Sequence, residues 1–523
     1  MTRRALATFL FPALALFSLG LVAQQHEDSD NPPQAAAKMA TDKGKPEAAK
    51  EEPASMKQEP PVVTHHQITV GGRVLHYTAT TGYMPLRNSE TNEIEAKIFF
   101  VAYTLDNPSG KRPLMFSFNG GPGSASIWLH LGAIGPRRVQ MLPDGGMPPP
   151  PFELVDNQQT WLDQTDLVFI DPVGTGFSRA AKKELGKKFW SVEGDIASVG
   201  DFIRLYLTHY ERWNSPLFLV GESYGTTRAA GLSGYLVNHG IALNGVVLIS
   251  SVLNFQTLQA GVGNDLPYIL YLPSFTSSAW YHKKLPADLQ QQDLAAVLTQ
   301  VEQYAAGPYT LALGKGTSLT AQERDELITQ VSRFTGLDRA TVDVNNARIS
   351  EPVFTNELLK AQKVEVGRLD SRFTGTPVSG RSAGGYYDPS ESAIRPPFTA
   401  TFNNYVRSEL GFKSDLEYYV LGGGVGEWEW GSAGQGYPDT SEALRLAFIK
   451  NPYMKLFVAS GYYDLATPFF ATRYTLNHME LDQQQQARIS LGYYDAGHMM
   501  YIKSSSLDHL KQDVSAFLGK ALQ

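Results

Sequence analysis

The chain has 523 residues, of which 42% are apolar, 11% aromatic and 19% charged. That composition suits a globular protein with a sizeable core and excludes collagen-like, coiled-coil and wholly disordered chains. The formal charge, 45 − 52 = −7, runs against the basic balance of a nucleic-acid binder, and the absence of cysteine excludes disulfides, thiolate metal sites, iron–sulfur clusters and a cysteine nucleophile.

Residues 1–23 (MTRRALATFLFPALALFSLGLVA) place Arg3 and Arg4 ahead of an apolar stretch that ends at Ala23. This is the pattern of a secretory signal peptide, and it predicts a periplasmic or secreted protein. Leu21 is large for the position three before the cut, so an uncleaved N-terminal membrane anchor is the alternative. No later segment has the 18 or so uninterrupted apolar residues of a membrane-spanning helix. Residues 24–62 lack Phe, Trp and Tyr and are rich in Ala, Pro, Glu and Lys. They have too little apolar surface to order themselves and are expected to form a disordered linker.

A folded pattern begins at residue 63. Residues 67–77 (QITVGGRVLHY) set a Gly-Gly turn between β-rich runs, a hairpin signal, and 95–104 is a further strand. Apolar strands then recur at 114–118, 167–170, 217–220, 245–249, 455–458 and 488–492, most followed by a Gly-rich turn or a helix. Near-continuous apolar strands alternating with helices predict an α/β fold. Its central sheet is mostly parallel, with helices on both faces and the hairpin antiparallel at one edge. From 255 to 397 the rhythm breaks into helical runs (286–304, 321–334) and a Gly/Ser/Arg-rich loop (367–385). This reads as a largely helical cap inserted at the C-terminal edge of the sheet. Sheet rhythm is expected again after Phe402, so 63–254 and 398–523 form the two parts of one core.

Two segments fit G-x-S-x-G: Gly221-Glu222-Ser223-Tyr224-Gly225 and Gly380-Arg381-Ser382-Ala383-Gly384. Ser223 follows the strand LFLV and precedes a helical run, the context in which a tight turn exposes a nucleophile. Ser382 has no strand before it and is expected to be a loop residue. A serine hydroxyl needs a base, and the base needs an orienting acid. Asp464 (SGYYDLATP) and His498 (DAGHMM) each follow a strand, in the chain order Ser…Asp…His. Asp495 is a competing orienter for His498. His478 and His509 lie on helical runs and are expected at the surface. His65 and His66 are adjacent in an extended segment, so their side chains point apart and make no metal pair. No metalloprotease helix or Walker loop is present, and 421–426 (LGGGVG) lacks the spacing of a dinucleotide loop. Neither metal nor cofactor is therefore expected. Trp428 and Trp430 either line a pocket or pack.

Four blocks in order, FNGGPGSAS (118–126), DPVGTGFS (171–178), GESYG (221–225) and the pair SGYYDLATP with AGHMM, resemble the serine carboxypeptidases of the α/β-hydrolase fold. This chain resembles a bacterial-type member without cysteines, and FNNYVRSELG (402–411) looks like the family's return from its insertion. The resemblance implies Ser223, Asp464 and His498 as the triad and the backbone amides of Gly121 and Tyr224 as the oxyanion hole. It implies that Asn119 and Glu222 hold the C-terminal carboxylate of a substrate peptide. Two carboxylates repel, so that role requires a protonated Glu222. The chain departs from the family at Ala133, where a further glutamate often supports this site, and at Ser124, where cysteine is common. The implied activity is removal of C-terminal residues from peptides through an acyl-enzyme. An esterase or acyltransferase on the same scaffold is the alternative, and a non-catalytic binding module a third. Nothing in the sequence signals oligomeric state.

Overall fold

The computed structural model describes residues 59–108, 110–377, 387–431 and 436–523. The signal segment 1–23, nearly all of the linker, and Ser382 with its flanking glycines lie outside the described residues.

The first strands alternate outward and inward residues, as a sheet margin with one wet face requires. β1 (Val62–Val70) and β2 (Arg73–Arg87) form an antiparallel hairpin. Gly71 and Gly72 turn the chain at φ 54° and 78°, values suited to a two-residue hairpin. β3 (Ile94–Leu105) pairs with β2, and later strands are almost wholly apolar: β4 (Leu114–Phe118), β5 (Asp166–Ile170), β6 (Leu217–Ser223), β7 (Gly245–Ser251), β8 (Lys455–Gly461) and β9 (Ile489–Tyr494). The sheet runs β1-β2-β3-β5-β4-β6-β7-β8-β9, with the short strand Arg179–Ala180 paired to β3 as its tenth member. Pairing is antiparallel as far as β5 and parallel from β5 to β9.

Both faces are covered, which is why β4, β5 and β7 are buried along their whole length. On one face Phe116, Leu219 and Leu248 meet Phe202 of the helix Val192–His209 and Leu232 of the helix Tyr224–Asn238. On the other, Met115, Val220 and Val247 belong to a cluster with Phe398 and Phe402 of the helix Pro389–Ser408 and Leu510 and Phe517 of the helix Ser504–Ala521.

The helical segment between β7 and β8 has its own core, built from residues such as Phe275, Val301, Val331 and Phe354, joined to the main body through Leu465 and Phe469. The helix at 321–334 is present as Ala321–Thr335, with Thr320 and Glu323 forming a capping box. The run 286–304 is two helices, Ala287–Gln290 and Leu294–Tyr304, because Asp293 between them is extended at φ −63°, ψ 144°. Pro389–Ser408 is one helix that runs across the 397/398 bound read between cap and core, and the sheet resumes at Lys455–Gly461 and Ile489–Tyr494, at the strands read for it. The helix's buried residues Phe398, Phe402, Tyr405 and Val406 recur at helical, not strand, spacing.

Ser223 ends β6, Asp464 lies three residues past β8, and His498 lies four past β9. All three strands are parallel, so these residues gather at the carboxyl edge of the sheet, where open α/β folds bind ligands.

Candidate active site

Ser223 is the N-cap of the helix Tyr224–Asn238 and sits at φ 60°, ψ −132°, a strained conformation for a residue with a Cβ. The surrounding glycines permit contacts no other residue would. A Cβ on Gly221 would lie 2.1 Å from the Gly225 carbonyl oxygen. A Cβ on Gly120 would lie 2.4 Å from the Tyr224 amide nitrogen. The loop after β4 therefore lies directly on the backbone of the elbow, bringing the Gly121 and Tyr224 segments side by side. Asn119, Gly121, Glu222, Ser223, His498 and Arg368 line one cavity of about 350 Å³.

His498 Nδ1 is 2.8 Å from Asp464 Oδ2. Asp464 is wholly buried; its Oδ1 accepts the Ala466 and Thr467 amides and its Oδ2 also accepts the Thr467 hydroxyl at 2.6 Å. A carboxylate so surrounded only accepts, so Nδ1 carries the imidazole proton and Nε2 is the basic nitrogen of the neutral ring. Burial pulls the His498 pKa down, but the Asp464 charge and hydrogen bond outweigh it, and the net shift is upward. Asp495, the competing orienter, is exposed and pairs with Lys503 at 2.6 Å. His478 and His509 are exposed, as expected. His65 is exposed on β1 while His66 stacks on Tyr77. Among the described residues no group of three or more His, Cys, Asp or Glu side chains is placed to hold a metal ion.

Asn119 Nδ2 donates to Glu222 Oε1 at 2.9 Å, and the Leu129 amide fixes the Asn119 side chain by donating to its Oδ1. Burial pushes the Glu222 carboxyl up to about 7, with His498, Tyr501 and Asn119 opposing the rise. Glu222 Oε2 and the Tyr501 hydroxyl face one another, and burial together with the Glu222 charge holds the Tyr501 phenol protonated. Ala133 is buried and brings no acid; the neighbouring Gly132 leaves room for the Tyr501 ring, which a Cβ there would meet at 2.5 Å.

Several residues to which the sequence assigned no role support the centre. Asp171, from the DPVGTGFS block, accepts the Ser126 amide at 2.8 Å and so fastens that block to the FNGGPGSAS loop. Residues 369–372, read as part of a plain loop, brace the centre. The His498 amide donates to the Leu369 carbonyl at 2.7 Å, the Gly497 amide to Asp370 Oδ2 at 3.0 Å, and the Ser371 amide to the Tyr463 carbonyl at 3.0 Å. Asp370 is held in turn by Arg372 at 2.6 Å. A second cavity of about 400 Å³ shares Gly121 and Arg368 with the first and is lined by Tyr268, Tyr271, Glu351 and Trp430. Trp428 packs edge-on against Tyr224 at 5.3 Å.

A hydroxyl on a strained turn, an imidazole oriented by a buried carboxylate and two adjacent backbone amides suit covalent acyl transfer. A family model described as serine carboxypeptidase matches residues 71–511. The pheromone-processing carboxypeptidase KEX1 of Saccharomyces cerevisiae is 33% identical over 170 residues, a match covering 30% of this chain and 22% of that protein's length. The serine carboxypeptidase-like 45 of Arabidopsis thaliana is 24% identical over 310 residues, 54% of this chain and 59% of the relative. Among solved structures, a prohormone-processing carboxypeptidase from Saccharomyces cerevisiae superimposes with a TM-score of 0.52 at 18% identity, covering 84% of this chain and 91% of that one.

Proposed function

This chain belongs to the serine carboxypeptidase family, and on that premise we propose that it removes C-terminal residues from peptides through an acyl-enzyme on Ser223. In this reading Ser223 Oγ attacks the last peptide carbonyl while His498 Nε2 takes its proton. Asp464 holds the ring and stabilises the imidazolium that forms. The Gly121 and Tyr224 amides meet the oxyanion as it develops. The imidazolium protonates the departing amine, and water then repeats the cycle on the acyl-enzyme.

The observation that carries the reading is the Asn119–Glu222 pair, buried in the cavity that holds Ser223. A protonated carboxyl and an amide suit a terminal carboxylate and have no use in cleaving a simple ester. A peptide with a free C-terminus should therefore be cleaved about 10²-fold or more faster than its amidated form near pH 6, as measured by release of the terminal residue. Equal rates would favour the esterase reading.

The segment 255–397 acts in this proposal as a cap that sets side-chain preference, supported by Tyr268 and Tyr271 at the second cavity. Trp280 is different: its Nε1 donates to the Gln292 carbonyl and its ring packs on the cap's own core. Tyr268→Ala, at a half-buried residue lining that cavity, should change relative rates among peptides with different penultimate residues, and Trp280→Ala should lower the melting temperature instead. The opposite pattern in a paired kinetic and thermal comparison would overturn this assignment.

Export from the cytoplasm is the last part of the proposal, supported by the n-region and apolar run of residues 1–23. No helix among the described residues is long and apolar enough to cross a membrane. Intact-mass analysis of the natively produced protein should find the chain beginning near Gln24; retained Met1 would reject cleavage.

A further inference from the structure

We propose that Arg228 is a positioning residue that sets the Asn119–Gly121 backbone against the Ser223 elbow. Arg228 lies on the first turns of the helix Tyr224–Asn238 and is 1% exposed, among the largest fully buried side chains of the molecule. Its Nη1 donates to the Asn119 carbonyl at 2.6 Å, and its Nε donates to Asp195 Oδ2 at 2.8 Å. The guanidinium also lies over two rings, Phe118 at 5.2 Å and Tyr224 at 5.4 Å. Phe118 immediately precedes Asn119, and Tyr224 immediately follows Ser223. One planar cation thus touches the two backbone segments that carry the Gly121 and Tyr224 amides.

The chemistry of the contact explains why an ion would be kept in such a place. A buried ion pair is seldom a gain in stability, since apolar residues of similar volume often serve as well. It does fix direction. The Asn119 carbonyl is drawn toward Arg228, so in a trans peptide the Gly120 N–H is directed the opposite way, away from the helix. The Asn119 side chain is separately fixed by Glu222 and Leu129, so the residue is held at its carbonyl and at both ends of its amide. Asp195, 2% exposed on the helix Val192–His209, neutralises the charge and aims the guanidinium fork. Without Arg228 the glycine loop would keep its sequence and lose the donor that orients its first peptide.

The inference rests on the reading of Ser223 and the two amides given above, and its test separates the two. Arg228→Lys keeps a charge opposite Asp195 and loses the fork that also reaches Asn119. Arg228→Met with Asp195→Leu removes both buried charges together. In the full chain, active sites are titrated to end point with a fluorophosphonate. The kcat per titrated site and KM are then measured on a free-C-terminus peptide and on an N-blocked amino-acid ester, beside the melting temperature. Both variants should lose about 10²-fold in kcat per site on both substrates, the cost of a misplaced catalytic geometry, with KM for the ester changed less than about threefold. A purely structural residue would lower the melting temperature or the number of titratable sites and leave kcat per site intact. That result, in either folded variant, overturns the inference; if the double variant yields no folded protein, Arg228→Lys decides alone. Wild-type protein that takes no label and turns over neither substrate defeats the reading of the Ser223 centre itself.

Discussion

Replacing Ser223 by alanine is expected to abolish covalent labelling and peptide hydrolysis together, and Asp464→Asn to lower kcat by up to about 10⁴-fold. The second effect follows from the donors around Asp464. Its two oxygens accept the Ala466 amide, the Thr467 amide, the Thr467 hydroxyl and His498 Nδ1. An asparagine must put an NH₂ among groups that all donate to the carboxylate. If it faces His498, the ring has to accept at Nδ1 and carry its proton on Nε2, where it can no longer take the serine proton. If it faces the loop, two amides lose their acceptor. Adding His498→Ala to Ser223→Ala should cost almost nothing further, because the residues act as a unit. Single-turnover labelling and steady-state assays of the four variants check this. Full activity in Asp464→Asn with loss in Asp495→Asn would move the orienting role to Asp495.

A pH-dependent preference between substrates is the second large effect. The Glu222 carboxyl, lifted to about 7 by burial, is mostly protonated at pH 6 and mostly ionised at pH 8.5. It can donate to a substrate carboxylate only while protonated, so grip on a free C-terminus is present below about 7 and is lost as pH rises through that value. The groups facing Glu222 are His498, Tyr501, Asn119 and Asp464. His498 titrates with the opposite demand: its pKa is raised, and it serves as base only above that value. Peptides with a free carboxylate should show a narrow bell in kcat/KM, and amidated peptides a single rising limb. The ratio of the two should fall on the order of 30-fold between about pH 6 and pH 8.5. Glu222→Gln, an amide donor at every pH, should flatten that ratio. Parallel wild-type profiles for the two substrates would remove Glu222 from carboxylate recognition.

The elements legible in the sequence were those whose signal is local. Runs such as LMFSF and GVVLI are dominated by apolar residues because both faces of the strand are covered, and strands stand at the positions read for them, the second extended to Ser251. The Gly71-Gly72 turn and the strand–turn–helix at Ser223 announce themselves within a dozen residues. Where a feature depends on distant partners, the sequence is silent. Arg228 and Asp195 look like ordinary helix-surface charges until two helices bury them against each other. Tyr501 looks like one more aromatic after His498, yet its ring occupies space left by Gly132. The helix Pro389–Ser408 carries two internal prolines, Pro396 and Pro397, and is held by the apolar face of Phe398, Phe402 and Tyr405, which the sheet behind it buries.

The hold that residues 369–372 keep on the loops of Asp464 and His498 divides the inserted segment into a root and a canopy. The canopy, with Tyr268, Tyr271 and the helices around them, is open to exchange between relatives or by design, since its core is largely its own. The root is not, because Leu369 and Asp370 accept the amides of His498 and Gly497. On the proposed role of the cap, a chimera that transplants only the canopy should keep an intact centre and gain a new preference. One that carries the root across as well changes the base loop at the same stroke, so the modularity of this scaffold ends a few residues short of where the insertion does.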